Sequence, residues 1–158
     1  RKGVSKGSFD NKKVKGVVNI MKELGINIIG NFIFGLPEDD ISTMQETLNL
    51  AEELNCEYTN FYVAMAYPGS ELYLEAINNN ISLPDSWLSY SQFSYETQPL
   101  STRYLTSSEI LFFRDNAFNV FYNSPRYQNM ILEKFSEETL NHIKEMLKYK
   151  LKRRLLGD

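Results

Sequence analysis

The chain has 158 residues, of which 42% are hydrophobic and 13% aromatic, and a formal net charge of −3. This composition is typical of a folded globular protein, and the charge gives no overall attraction to nucleic acid or to an anionic membrane. No apolar run approaches the roughly 20 residues that span a bilayer, so we expect no membrane partner and a cytoplasmic location. The single cysteine, Cys56, excludes an internal disulfide and a complete cysteine-ligated zinc or iron–sulfur site in these residues.

The chain begins with an alternation of helix and strand. Asp10 is a good N-cap, and valines and a methionine then recur at three- and four-residue spacing until Gly25, which predicts an amphipathic helix. Residues 26–34 form an almost wholly apolar run. Such a run predicts a central parallel strand that is buried on both faces.

A second helix and a second strand follow. Asp39 or Asp40 can cap a helix that ends at Asn55. Residues 58–66 are rich in aromatic and β-branched side chains and predict the next strand, after which Ser70 caps a short helix. Strands that alternate with helices in this way predict βαβ units joined into a parallel sheet.

The predicted fold class is therefore α/β, with two parts. Residues 1–80 are expected to form βα units from the second half of a partial, parallel (β/α) TIM-type barrel. Residues 81–158 are expected to form an aromatic-rich linker and an all-helical C-terminal extension. Because two strands cannot hide both faces of such a sheet, the missing strands must come from polypeptide that precedes this chain, from a partner chain, or not at all, and the first source is expected.

Three helix starts are predicted in the second part. Thr106 and Glu109 have the spacing of a capping box, Pro125 is at a tolerated first-turn position, and Ser136 can cap a last helix that continues to Leu155. This last stretch is basic, with Lys144, Lys148, Lys150, Lys152, Arg153 and Arg154. Two interpretations stay open, a solvated helix face or a docking surface for another domain or RNA.

The candidate site lies where the predicted strands end. Ligands of parallel α/β sheets bind at the carboxyl ends of the strands, so residues 35–38 and 66–70 are expected on one rim. No side chain is singled out as catalytic or metal-ligating, and Glu38 has a competing role as a first-turn acid of its helix. The aromatic residues 87–104 either line a pocket for a polar substrate or pack against the open side of the barrel.

Residues 31–38, NFIFGLPE, resemble the fifth-strand G-x-I-x-G-x-x-E motif of radical S-adenosylmethionine (radical SAM) enzymes. The first glycine of the motif is replaced here by Asn31. The wider succession of KELGI, FGLP, TMQET and YPGSELY is similar to the second half of the barrel in the branch that also carries a cobalamin-binding domain.

The resemblance implies that the full polypeptide is an enzyme with S-adenosylmethionine and a [4Fe–4S] cluster as cofactors. In such enzymes a C-x-x-x-C-x-x-C loop holds the cluster, which cleaves S-adenosylmethionine to a 5′-deoxyadenosyl radical. The cobalamin-dependent members often transfer methyl groups, and whether cobalamin is used here stays open. The cysteine loop is expected in the missing N-terminal half of the same polypeptide, so the present chain is expected to be inert alone and the small-molecule substrate is not predicted.

The resemblance also assigns roles to individual residues. Ile33 would pack on the adenine, Gly35 would keep the strand end clear for it, and Glu38 would brace the loop. Asn31 could reach the ribose or make a structural hydrogen bond, and the end of the next strand would offer backbone groups to the adenine edge. The predicted cofactor-binding residues are Asn31, Ile33, Gly35, Glu38, Met65, Ala66 and Tyr67.

Two other functions are compatible with the same residues. The first is a fragment of a different barrel enzyme, such as a metal-dependent lyase or aldolase, in which Glu38 would be a ligand or a base. The second is a non-enzymatic module that holds a protein or RNA partner through the aromatic segment and the basic last helix. Nucleic acid is not the expected partner, given the net charge.

Overall fold

The computed structural model of the chain describes residues 10–158, which fold into two strands, six α-helices and two short 3₁₀ helices. The elements in chain order are α1 (Asn11–Glu23), β1 (Ile29–Phe34), α2 (Ile41–Leu54), β2 (Tyr58–Val63), α3 (Glu71–Asn78), a 3₁₀ helix (Trp87–Tyr90), α4 (Ser107–Asn123), α5 (Pro125–Lys134), α6 (Glu137–Leu147) and a second 3₁₀ helix (Arg154–Leu156). None of the helices in this described part is both long and apolar enough to cross a membrane.

The two strands form one parallel sheet, in which Ile29 lies opposite Tyr58 and Phe34 lies opposite Val63. The prediction of a partial TIM-type barrel is therefore wrong. The described chain is a small, helix-rich fold around a two-stranded sheet, and two strands cannot provide the tilt and closure of a barrel. The βαβ order was predicted correctly, but α4 and α5 occupy the side of β2 where another barrel strand would have to pair.

Within residues 10–158, side chains cover one face of the sheet and leave the other accessible. The residues on the covered face, Phe32, Phe34, Phe61 and Val63, belong to the main hydrophobic core together with side chains of α2, α4, α5 and α6. The other face carries exposed or half-buried side chains, namely Ile29, Asn31, Ile33, Tyr58, Asn60 and Tyr62. The prediction of a strand buried on both faces was wrong for β1, because its apolar residues point alternately to the core and to this uncovered face.

Side chains from the C-terminal helices close the outer edge of β2. The hydroxyl of Tyr122 donates to the carbonyl of Thr59 at 2.7 Å and accepts from the N–H of the same residue at 3.1 Å. The hydroxyl of Tyr127 donates to the carbonyl of Glu57 at 3.1 Å. Backbone groups that would pair with a third strand are thus bonded to α4 and α5, and the C-terminal helices share one core with the sheet.

The helix starts follow the sequence closely. Side chains of the predicted cap residues accept hydrogen bonds at the first turns, as confirmed for Asp10, Asp40, Ser70, Thr106 and Ser136. Pro125 begins α5 as predicted, and Ser124 caps that helix. The predicted end of α2 is also confirmed, since Asn55 adopts a left-handed conformation with φ 44°. The last helix was predicted too long: α6 ends at Leu147, well before Leu155.

Candidate functional site

The loops that follow the two strands leave the sheet side by side. Phe34 and Val63 are register partners at the ends of β1 and β2, and the N–H of Ala64 donates to the carbonyl of Phe34 at 2.8 Å. Residues 35–40 and 64–70 therefore start at the same edge of the sheet. This is the edge at which parallel sheets bind their ligands.

Asp39 holds the shape of the loop after β1. Its Oδ2 accepts hydrogen bonds from the N–H groups of Gly35 at 3.1 Å and Leu36 at 2.9 Å, and its Oδ1 accepts from the hydroxyl of Thr43 at 3.0 Å. We expected Glu38 to brace this loop, but Glu38 is exposed and makes no such bond to the described residues. The sequence signal that was missed is the adjacent pair Asp39 and Asp40. Because Asp40 caps α2, the carboxylate of Asp39 is available to accept hydrogen bonds from the loop.

Gly35 is required by its contact with α4. Its φ is +80°, and a Cβ atom built on it would lie 2.6 Å from Cγ2 of Ile110. Ile110 is completely buried in the core. The missing side chain therefore lets α4 approach the end of β1, which is a different use of the glycine from the predicted clearance for an adenine ring.

Asn31 and Ile33 lie on the uncovered face of the sheet. The Nδ2 of Asn60 donates to the Oδ1 of Asn31 at 3.0 Å, so the amide of Asn31 is held by the neighbouring strand rather than by the core. Ile33 lies opposite Tyr62 and is 48% exposed. These two predicted residues are brought together on one accessible surface, because residues two apart on a strand share a face.

The loop after β2 presents mainly its backbone and one ring. The side chains of Met65 and Ala66 are buried, the latter in a small cluster with Ala76 and Leu100. Tyr67 is half exposed, and its ring stacks on that of Tyr90 with a centroid distance of 5.8 Å. Of the predicted residues in this loop, only Tyr67 offers its side chain to a ligand.

The aromatic segment, residues 87–104, reaches the edge of β2 through Gln92, whereas most of its aromatic side chains are exposed. Tyr90 is buried, and its ring contacts those of Tyr67 and Trp87. Trp87 itself is 77% exposed. The side-chain amide of Gln92 bonds both backbone groups of Val63, with both distances at 3.0 Å. Of the two interpretations, packing is thus favoured for the part of the segment that reaches β2.

Arg114 is a buried charge that was not predicted from the sequence. Its Nε donates to the carbonyl of Phe61 at 2.7 Å, and its Nη1 contacts Asp115 at 2.6 Å. Burial lowers the pKa of Arg114, and the carboxylate of Asp115 opposes this shift. Together with Gln92, this guanidinium completes the row of side chains along the outer edge of β2.

The basic residues near the C-terminus are mostly paired within the chain. Arg153 is buried against Asp115, and three more basic residues make ion pairs: Lys148 with Glu145, Lys150 with Asp158 and Arg154 with Glu96. The stretch is not one helix either, since α6 ends at Leu147. Much of the positive charge of this stretch is therefore compensated within the chain, and a docking surface for another domain or RNA stays a prediction.

Metal-ligating side chains do not gather in the part of the chain that the structure describes, where no group of three His, Cys, Asp or Glu residues is placed to hold an ion. His142 lies on the exposed side of α6. Cys56 is buried in the core, and this burial raises the pKa of its thiol. Neither residue has the surroundings of a reactive or ligating group.

Comparison with known proteins gives one distant relative. Over 109 residues, which are 69% of this chain, the sequence is 29% identical to a protein of Pyrococcus horikoshii that is named an uncharacterized methyltransferase. The matched region is 23% of that protein, so the chain spans about a quarter of the length of this curated relative. No protein-family model matches the chain.

Proposed function

We propose that this chain contributes the adenine-binding side of an S-adenosylmethionine site in a methyltransferase-like radical SAM enzyme, together with part of the substrate side. The observation that carries the proposal is the accessible surface formed by Asn31 and Ile33 at the carboxyl end of β1. The motif resemblance of residues 31–38 and the methyltransferase name of the Pyrococcus relative support the same cofactor.

The chemistry of this surface fits an adenosyl group. Ile33 offers apolar area that can take one face of a purine, and its burial by an aromatic ring is favourable by the hydrophobic effect. The amides of Asn31 and Asn60 lie on the same face and supply a donor and an acceptor within reach of ribose hydroxyls. An apolar platform beside polar amides is the arrangement that a nucleoside requires.

The loop after β2 supplies the second half of the proposed contact. Met65 and Ala66 have buried side chains, so their contribution is through backbone N–H and C=O groups, while Tyr67 offers its half-exposed ring. Gly35 acts in this proposal through the shape of the first loop, which Asp39 fixes, and Glu38 is proposed only as an exposed residue of that loop. No residue of the chain is proposed to take part in bond making or breaking.

The cofactors would supply the reactive chemistry. When bound, S-adenosylmethionine and a [4Fe–4S] cluster would provide radical chemistry at this edge, and cobalamin, if used, would provide a methyl carrier. The described residues contain no ligand set for a cluster. We therefore propose that the N-terminal part of the same polypeptide holds the cluster, that the substrate is a small molecule, and that the chain alone is inert.

Titration of the ¹⁵N-labelled chain with S-adenosylmethionine tests the cofactor site. We expect saturable shifts confined to the amides of residues 31–35 and 64–68, with a dissociation constant in the millimolar range, or about −4 kcal/mol, because only one side of the site is present. Ile33→Asp should weaken binding at least tenfold. Ile20→Asp on α1 is the matched control, since Ile20 is similarly exposed at 57%, and it should leave binding unchanged.

Two results would contradict the proposal. Shifts that map to the amino ends of the strands or to the C-terminal helices would move the site elsewhere. The absence of any saturable shift at S-adenosylmethionine concentrations about ten times the expected dissociation constant would show that the chain has no such site. The radical chemistry is tested separately on the full polypeptide, reconstituted with iron and sulfide, by the formation of 5′-deoxyadenosine from S-adenosylmethionine.

A further inference from the structure

Arg153 is the best-bonded charged side chain near the C-terminus. It is fully buried, and its guanidinium has five N–H groups to place. Nε and Nη2 donate to the two carboxylate oxygens of Asp115 at 2.9 and 3.0 Å. Nη2 also donates to the carbonyl of Gln92 at 3.2 Å, and Nη1 donates to the carbonyl of Ser94 at 2.9 Å and the hydroxyl of Thr97 at 2.8 Å. All five N–H groups are therefore bonded.

The five acceptor atoms form a receptor for the guanidinium of Arg153, and their positions match its planar, forked set of N–H donors. Asp115 binds the guanidinium with both oxygens, and the remaining acceptors come from residues 92–97. An ammonium group has three donors and no plane, so a lysine side chain would leave at least two of these five contacts unmade. This geometry favours a guanidinium over an ammonium group.

The C-terminal segment, residues 148–158, closes over this receptor. The N–H of Arg154 donates to the carbonyl of Tyr95 at 2.9 Å, and the hydroxyl of Tyr95 donates to the carbonyl of Asp158 at 3.1 Å. The N–H of Arg153 donates to Oδ2 of Asp158 at 3.1 Å. These bonds hold the segment against residues 92–97 on both sides of the buried side chain.

The receptor also contacts the edge of the sheet through two of its members. Gln92, whose carbonyl binds Arg153, uses its side chain to bond the backbone of Val63. Asp115 bonds Arg114, which in turn bonds the carbonyl of Phe61. Occupancy of the receptor is therefore linked by hydrogen bonds to the last residues of β2.

We propose that Asp115 and residues 92–97 form a guanidinium-binding site, that the chain's own Arg153 occupies it, and that this occupancy latches the C-terminal segment onto the edge of β2. The ligand class is a guanidinium group, supplied here in cis by an arginine side chain. Truncation of that side chain leaves a cavity that can take a free guanidinium ion in trans. The latch is independent of the proposed cofactor site, because none of its bonds involves the residues proposed to bind S-adenosylmethionine.

Chemical rescue of Arg153→Ala tests the receptor. We expect a lower midpoint of thermal unfolding, of which at least half is recovered, saturably, by about 20 mM ethylguanidinium, a concentration far below the molar range in which guanidinium unfolds proteins. The same concentration of ethylammonium should recover none of it. The matched control is Arg154→Ala, whose side chain is about half exposed and makes an ion pair with Glu96, and which should respond to neither ion.

Two outcomes of the rescue would overturn the proposal. One is a folded Arg153→Ala protein that responds to ethylguanidinium no more than to ethylammonium. The other is an equal response of the Arg154→Ala control. If Arg153→Ala does not fold, the unaltered chain gives the answer: the Nε–H proton of Arg153 should exchange with water at least a hundredfold more slowly than that of Arg154, and equal rates would overturn the buried receptor.

Discussion

The hydroxyl of Tyr122 bonds both backbone groups of Thr59, donating to its carbonyl at 2.7 Å and accepting from its N–H at 3.1 Å. In a parallel sheet the neighbouring strand would make these two bonds. One side chain of α4 thus takes the place of a strand at this position, and the amide of Gln92 does the same at Val63. The edge of β2 is closed by side chains from sequence that lies far along the chain.

Removing the hydroxyl in Tyr122→Phe should lower the free energy of unfolding by about 1–3 kcal/mol, because the N–H and C=O of Thr59 stay buried and lose their partner. Urea unfolding followed by circular dichroism measures the loss. Tyr58→Phe is the control: its ring lies near that of Tyr122, with centroids 6.4 Å apart, but its side chain is about half exposed. A loss of the same size in both variants would contradict the role given to the hydroxyl.

Replacing Asp39 should loosen the loop after β1. Asp39→Ala removes three acceptor contacts, to Gly35, Leu36 and Thr43, and should cost about 1–3 kcal/mol of unfolding free energy with faster amide exchange at Gly35 and Leu36. Glu38→Ala, the adjacent acid, should change the stability by less than about 0.5 kcal/mol. The reverse order of the two effects would restore Glu38 as the brace that the motif suggested.

The parts of the fold that follow from local chemistry were predictable. The short polar residues that start the helices, such as Asp40, Ser70 and Thr106, were identified from spacing alone, because a capping bond joins residues only two or three positions apart. The order of helix and strand followed from periodicity for the same reason. The first strand was predicted over residues 26–34 and is observed at Ile29–Phe34, with the same end.

The parts that depend on distant partners were not predictable. The apolar run of β1 does not reveal which of its faces is covered, and the face with Ile33 is left open. The basic stretch predicted either a solvated helix face or a docking surface. Arg153 is instead buried, and this was not predictable because its partner, Asp115, lies 38 residues earlier in the chain. A partial TIM-type barrel was wrongly predicted because the strand pattern cannot show that Tyr122 and Gln92 occupy the edge of β2.

A methyl group at Gly35 should be poorly tolerated. Gly35→Ala requires an alanine at φ +80° and places its Cβ 2.6 Å from a buried side chain, Ile110, so we expect a loss of about 1–3 kcal/mol from overpacking together with backbone strain. The matched control is Gly16→Ala on α1, where nothing lies within 4 Å, and it should stabilise the protein by about 0.5–1 kcal/mol. Equal changes in the free energy of unfolding for Gly35→Ala and Gly16→Ala would mean that α4 moves away from β1 without loss of stability.

Glu57 should make the protein less stable in acid. Burial of this carboxylate alone would raise its pKa, but hydrogen bonds from Lys134 at 2.6 Å and from the N–H of Ile28 at 2.7 Å outweigh that effect and lower the pKa below its ordinary value of 4.5. A carboxylate with a lowered folded-state pKa stabilises the protein fully above the unfolded-state pKa, and this contribution is lost as the pH falls through the folded-state pKa. Urea unfolding from pH 7 to pH 3 should therefore show a smaller decline in Glu57→Gln than in the unaltered chain. Lys134→Met should also reduce the decline, because it removes one of the bonds that lower the pKa, and an unchanged decline in both variants would contradict this assignment.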